Sequence, residues 1–195
     1  MKDIIRMILI LTMICTGVAF VLSGIKHVFA ERIEYQVLTY VQGPKVKEVL
    51  KGSDNDLVTD RRKISVNGKE LLLFVGKKGG KPWAIAYETV GKGFGGDITV
   101  MVGYDINHDK LAGIQIISHK ETPGVGARVT EDQFTKRFKG LDINLNFTLK
   151  SAGGDIDGIS GASYSSRGVA EAIRNSIALY PEVKKKVLDT LGSKS

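Results

Sequence analysis

The sequence predicts an α+β domain, an antiparallel β-meander with packed helices, preceded by one N-terminal transmembrane helix. Three observations lead there: an uncharged apolar run near the N-terminus, alternating segments punctuated by turn residues between Arg61 and Ser118, and helical periodicity that follows those strands, beyond Thr130. Strands first and helices segregated afterwards favour α+β over a doubly wound sheet.

The apolar run extends from Met7 to Ile25, with Lys2 and Arg6 before it and Lys26, His27 and Arg32 after it. At about 1.5 Å per residue it spans roughly 28 Å, close to a hydrocarbon core of about 30 Å. A cleaved signal peptide is the competing reading, since Val28-Phe29-Ala30 before Glu31 resembles a small-residue cleavage site. The run is long for a signal peptide, and its length suits an uncleaved anchor over residues 1–30. Basic residues nearly balance on its two sides, so orientation with the N-terminus inside is a default rather than a derivation. Cys15, the single cysteine, reads as a membrane-buried thiol, because Met13-Ile14 lacks the small residues of a lipid-acylation site. One cysteine permits no intramolecular disulfide and no cysteine-based iron–sulfur or zinc centre.

The 28 Lys and Arg against 21 Asp and Glu give a net charge of +7, gathered in clusters such as Lys77-Lys78 and Lys184-Lys185-Lys186. Nucleic-acid binding would call for a denser basic stripe with interleaved aromatics; these clusters read as solvated turns and a solvated helix end. With 43% hydrophobic and 25% charged residues, the remainder of the chain supports one globular core.

Residues 31–60 read as a helical stalk or linker, interrupted at Gly43-Pro44 and ending in the loop Gly52-Ser53-Asp54-Asn55-Asp56. The domain proper is expected over 61–195. Lys63 to Val66 and Glu70 to Val75 form a hairpin through Asn67-Gly68, a two-residue turn signal. Trp83 to Val90, Asp97 to Tyr104 and Leu111 to Ser118 supply three more strands. Thr130 with Gln133 fits a capping box for a short helix in which Phe134 and Phe138 share a face and Gly140 is the stop. Ile143 to Leu149 alternates as a further strand. Val169, Ala172, Ile173, Ser176, Ile177 and Tyr180 make a helical stripe ended by Pro181, and a last polar helix is expected over Glu182 to Leu191.

Glycines and hydroxyls crowd the run Asp155-Ile-Asp157-Gly158-Ile159-Ser160-Gly161-Ala162-Ser163-Tyr164-Ser165-Ser166, directly before the Val169 helix. Unpaired N–H groups and the positive end of the dipole at a helix start suit a phosphate group. Ordinary serine capping, which needs no ligand, explains the same residues, and from composition alone it is the simpler account. His119-Lys120-Glu121-Thr122-Pro123-Gly124-Val125-Gly126 reads by itself as a Pro-Gly turn leaving a strand. Gly91-Lys-Gly93-Phe94-Gly95-Gly96 imitates a dinucleotide-binding glycine loop, but it must open a helix to be one, and Asp97-Ile-Thr-Val-Met-Val continues as a strand. NAD binding is rejected there.

Asp157-x-x-Ser160-Gly161-Ala162-Ser163 resembles the flavinylation motif of the FMN-binding domain family, which includes the G subunit of the Rnf complex and the C subunit of the sodium-pumping NADH:quinone reductase. The His119, Glu121, Thr122, Pro123, Gly124 segment and the Gly93, Phe94, Gly95 loop are similar to two further family segments, in the same order along the chain. The resemblance implies FMN held covalently by a phosphoester to Ser163, attached by a flavin transferase. Asp157 would then serve the transferase or the loop geometry, with Gly161 and Ala162 leaving the approach clear. Ser163 stands where the family more often has threonine; the chemistry needs only a hydroxyl. The segment from His119 would lie near the isoalloxazine and phosphate. By resemblance, the chain is an electron-transfer subunit of an Rnf-type ion-translocating complex coupling ferredoxin/NAD electron transfer to ion movement. It would have no turnover of its own, would dock beside other membrane subunits, and would hold its domain on the extracytoplasmic side of a bacterial inner membrane. Its length is closer to the Rnf G subunit than to its quinone reductase relative, which remains the alternative.

Two other classes compete. A serine hydrolase could draw on Ser160, with His119 and Asp157 to complete a triad, but Gly158-Ile-Ser160-Gly161-Ala162 is not the Gly-x-Ser-x-Gly elbow. A non-redox, membrane-tethered ligand-binding domain would leave the motif as coincidence. Metal catalysis finds no ligand-pair spacing among His27, His108 and His119.

Overall fold

A computed structural model of the chain describes residues 2–192. The chain divides into two compact units, one ending at Tyr40 and one beginning at Val41. The first is the helix α1 (Lys2–Gln36), which relaxes into a π-helical stretch over Val37–Gln42. Its portion Lys2–Ala30 is long and apolar enough to cross a membrane. The large apolar side chains from Ile4 to Ile25 are exposed, the arrangement a bilayer covers and water does not favour.

The second unit carries α2 (Gly43–Val49), which follows the π-helical stretch without a break and has Pro44 at its start. Five strands follow as a meander of order β1-β2-β3-β4-β5, all antiparallel: β1 (Arg62–Val66), β2 (Lys69–Lys78), β3 (Lys81–Lys92), β4 (Asp97–Asp105) and β5 (Lys110–Ser118). The Asn67-Gly68 turn has both residues at positive φ, 51° and 75°, as the primed hairpin turn requires.

β3 and β4 are buried on both faces. One face, carrying Ile85, Tyr87, Val100, Val102 and Tyr104, packs beneath α4 (Ser163–Gly192) together with Val169, Ala172 and Ile173. The other receives α2; a Cβ on Gly103 would lie 2.3 Å from Val49 Cγ1, so this strand position admits only glycine. Tyr87, Tyr104 and Tyr180 stack in series, with centroids 5.6 and 4.3 Å apart. Their hydroxyls donate to the Ser176 carbonyl, Ser176 Oγ and Asp109, satisfying each polar tip.

Three sequence expectations are corrected. Pro181 does not end the helix: α4 runs through it. The proline costs one backbone bond, to Ile177, while the continuing turns bury Val183 and Val187. Ile143 to Leu149 is a series of turns with a single bridge from Leu149 to Ile156. There Asp142 and Asp155 accept the Asn144 and Asn146 amides, taking donors that a ladder would use. Thr130 forms no capping box, because its Oγ1 donates to the Ala127 carbonyl at 2.8 Å and closes a 3₁₀ turn. The helix that follows, α3 (Asp132–Thr135), is a single turn, continued by a 3₁₀ turn over Lys136–Phe138. Phe134 and Phe138 nonetheless pack edge to face, centroids 5.2 Å apart.

Candidate functional site

Three segments converge where β3 ends, β4 begins and β5 ends: the glycine loop 93–96, the segment 119–126, and the residues leading into α4. They enclose a cavity of about 380 Å³ lined by Phe94, Glu121, Thr122, Val125, Gly126 and the five residues Gly161 to Ser165.

Glycine at these positions is a matter of contact distance. A Cβ on Gly95 would lie 2.0 Å from the Lys120 carbonyl oxygen, and one on Gly93 would lie 2.4 Å from Glu121 Oε1. The loop closes on itself through the Gly93 amide and the Gly96 carbonyl, 2.9 Å apart. It joins two strands, as expected, and opens no helix.

Glu121 ties the three segments together. One carboxylate oxygen accepts the Gly95 amide at 2.8 Å, and the other accepts the Ser165 hydroxyl in a short hydrogen bond. Its own amide donates to His119 Nδ1 at 3.2 Å. Glu121 is only 5% exposed, and its burial is tolerated because both side-chain oxygens are hydrogen-bonded.

The motif loop reaches the cavity through Gly161, at φ +81°. Helix α4 begins at Ser163, so the amides of Ser163, Tyr164 and Ser165 belong to the first turn and have no partner four residues back. Ser163 is exposed at that turn, while Ala162 is buried beneath it. Tyr164 packs against Phe94, centroids 6.1 Å apart, and the Arg167 guanidinium lies 5.2 Å from the Tyr164 ring centre. An exposed hydroxyl, unpaired amides and an aromatic rim thus share one concavity, whose volume falls in the range of small-molecule sites.

Of the residues singled out from the sequence, Phe94, Glu121, Thr122, Gly161, Ala162 and Ser163 line the cavity. Gly93 and Gly95 shape its wall from behind, and Pro123 and Gly124 form an exposed turn beside it. His119 is half-buried against its own loop. Asp157 and Ser160 stand outside the lining: Asp157 pairs with Lys150 at 2.8 Å, and the Ser160 carbonyl lies 3.5 Å from Arg128 Nη1. The hydrolase triad is therefore not assembled. Among the described residues, no group of three or more His, Cys, Asp or Glu is placed to hold a metal. Sequence reasoning missed Val125, Gly126, Tyr164 and Ser165 as lining residues. The last two escaped because the helix was expected nearer Val169, whereas its first turn at Ser163 aims them at the cavity.

The FMN-binding domain family matches residues 93–178, a stretch that begins in the glycine loop and contains every lining residue. The G subunit of the ion-translocating oxidoreductase complex from Photorhabdus laumondii is 30% identical over 72% of this chain and 71% of its own length. Its counterpart from Vibrio parahaemolyticus is 32% identical over 59% of this chain, and the chain spans 57% of that protein, less than two thirds of its length. Among solved structures, the C subunit of the sodium-translocating NADH-quinone reductase from Parabacteroides distasonis is similar, with a TM-score of 0.48 and 25% identity over 59% of this chain and 63% of that one. On the family match and the Photorhabdus laumondii relative, the chain belongs to the FMN-binding domain family, as a relative of the G subunits of ion-translocating oxidoreductase complexes.

Proposed function

We propose that the chain is an electron-transfer subunit with FMN bound covalently to Ser163, within a membrane-bound complex of the Rnf type. The observation that carries this reading is the placement of Ser163: an exposed hydroxyl on the first residue of α4, opening into the cavity shared by all three motif segments.

The residues present fit the group. The first-turn amides of α4 supply N–H donors and the positive dipole end for a phosphodiester. Gly161, with no side chain, leaves the approach to Ser163 open, and Phe94, Tyr164 and Val125 supply apolar surface for a ring system. Attachment needs an activated donor, such as a flavin dinucleotide. The Ser163 Oγ–phosphorus bond forms, the phosphoanhydride breaks, and a nucleoside monophosphate leaves. The serine proton passes to the transferase that catalyses the exchange. Asp157, exposed and outside the cavity, is suited to contact that transferase rather than the flavin.

When bound, the flavin supplies reversible electron transfer; the chain's residues hold it and restrict its access to water. The apolar helix α1 keeps the domain at the membrane, beside partner subunits that donate and accept the electrons. A covalent link is useful on the extracytoplasmic side, where a dissociated flavin would be lost.

The test is intact-mass spectrometry with in-gel fluorescence under denaturing conditions, on chain expressed in its native membranes. A gain of one FMN less one water on the Ser163 peptide is the expected result. An unmodified mass without fluorescence would overturn the reading and favour a tethered ligand-binding domain.

A further inference from the structure

Four serines stand at the head of α4, Ser160, Ser163, Ser165 and Ser166, and the fold treats them unequally. Ser163 is exposed, whereas Ser165 is 2% exposed and Ser166 is fully buried. Ser166 Oγ accepts the Ile159 amide at 3.0 Å. Ser160 is exposed but lies outside the cavity lining. Ser165 donates to Glu121, a residue from a different segment of the chain.

We propose that Glu121 is the positioning residue that selects Ser163 as the acceptor hydroxyl, by holding Ser165 inward and so turning Ser163 outward. The inference rests on the reading of Ser163 as the flavin acceptor. Residues two apart on an α-helix point roughly 200° apart, so a single bond at Ser165 sets the facing of both. Ala162, just before the helix, has no side-chain oxygen to cap the first turn, and its orientation is left to contacts from outside the helix.

Charge acts in the same direction. For Ser165 to accept the phosphoryl group, its oxygen would have to bring an anionic phosphate against the buried Glu121 carboxylate. Repulsion between like charges is strong where water is excluded. Ser165, although it lines the cavity, is thus enclosed and faces the wrong charge, while Ser163 is the exposed serine of the same lining. The surroundings are shaped around this carboxylate: a Cβ on Gly126 would lie 2.7 Å from both Glu121 Oε2 and Ser165 Oγ.

The test uses the full-length chain co-expressed with its transferase, with flavin located by peptide mapping, and the same chain made without transferase for amide hydrogen exchange. Glu121→Ala should lower the flavin on Ser163 and speed exchange of the Ser166 amide, which donates to the Ala162 carbonyl across the first turn of α4. One hydrogen bond to a charged group corresponds to a change of about ten-fold or more in the opening equilibrium. Glu121→Gln, which keeps an acceptor, should restore most of the Ser163 occupancy. In a Ser163→Ala background, Glu121→Ala should let flavin appear on Ser165, where Ser163→Ala alone shows none. If Glu121→Ala fails to fold, Ser165→Ala removes the tether by a single hydroxyl and should speed exchange at the Ser166 amide in the same way.

Wild-type occupancy of Ser163 in Glu121→Ala, with exchange unchanged, would overturn the inference and leave the flavin reading standing. A wild-type chain without flavin would end the flavin reading. The exchange rates would then still decide whether Glu121 holds the turn, and unchanged rates would overturn that too.

Discussion

Phe94 in the glycine loop and Tyr164 in the first turn of α4 form a tilted ring pair, centroids 6.1 Å apart with planes at 58°. Both line the cavity, yet they are 73% and 61% exposed. Two large rings left in water beside a phosphate-suited helix start have apolar surface to gain from a flat ligand. Tyrosine next to a flavin quenches its emission. Tyr164→Ala should therefore brighten the flavin fluorescence of the native protein and leave that of the unfolded protein unchanged. With the side chain so exposed, stability should move by no more than about 0.5 kcal/mol. Native emission equal to wild type would remove Tyr164 from the flavin's surroundings.

Ser163→Ala deletes one exposed hydroxyl at the first helical position. It should abolish covalent flavin, read as the absence of the mass gain, while urea melts stay within roughly 0.5 kcal/mol of the unmodified wild type. Ser163→Thr should retain flavin, because an exposed first-turn position has room for a methyl group. Covalent flavin persisting in the alanine variant would sink the assignment.

Asp157 offers a sharper separation between fold and function. Its ion pair with Lys150 joins side chains that are both more than half exposed, and such pairs are worth about 0–1 kcal/mol. Asp157→Ala should barely shift the melting temperature yet reduce flavinylation in co-expression. Lys150→Ala breaks the same pair and serves as the control, with flavinylation retained. Equal losses in both variants would assign the effect to the pair rather than to recognition of Asp157.

Glu88 gives the fold a pH dependence that can be read directly. Burial raises its carboxyl above the ordinary value of 4.5, against the pull of the Gln42 hydrogen bond and the Lys45 charge. The same burial lowers Lys45, opposed by Glu88. A raised folded-state pKa means that the folded chain holds the proton more tightly. The contribution of Glu88 is then fully present below the unfolded value and is lost as pH rises through the folded one. Glu88→Gln cannot ionise and keeps an acceptor for Gln42. Its stability relative to wild type should improve from about pH 4.5 upward and level off once the wild-type carboxyl is ionised. A difference that stays flat across that range in urea melts would show Glu88 to be unperturbed.

The meander was legible because its signals are local: alternation along each strand and Asn67-Gly68 at the first turn. What misled were patterns whose outcome depends on distant partners. Pro181 is a stop signal on its own, but Val183 and Val187 have a core to enter and carry the helix past it. Residues 143–149 alternate like a strand, yet β5 bonds at Leu111 to the 140–141 turn, and Asp142 and Asp155 claim amides of the segment. In the site, the glycines and Ser163 were visible as a motif. The Glu121–Ser165 bond was not, since the resemblance put the His119 segment near the phosphate without singling out Ser165.

Gly168 connects that packing to the site. A Cβ there would lie 2.8 Å from the Lys92 carbonyl oxygen and from the Gly93 amide, while a Cβ on Gly91 would lie 2.0 Å from the Gly168 carbonyl oxygen. Helix and strand therefore meet backbone to backbone, five residues beyond Ser163 and directly behind the glycine loop. Gly168→Ala cannot be absorbed by a side-chain rotamer, because the neighbours are main-chain atoms. Overpacking of this kind costs about 1–3 kcal/mol, partly offset by the better helix propensity of alanine. The forced separation would also pull the first turn of α4 away from the glycine loop and stretch the Glu121 bonds. The variant should melt earlier in urea and, at temperatures where it remains folded, take up less flavin on Ser163. An exposed-face substitution in the same helix, Arg174→Ala, should leave flavinylation unchanged, even though it removes a hydrogen bond to the Phe147 carbonyl. If Gly168→Ala lost stability but kept full flavin, the head of the helix would be held independently of its packing on β3.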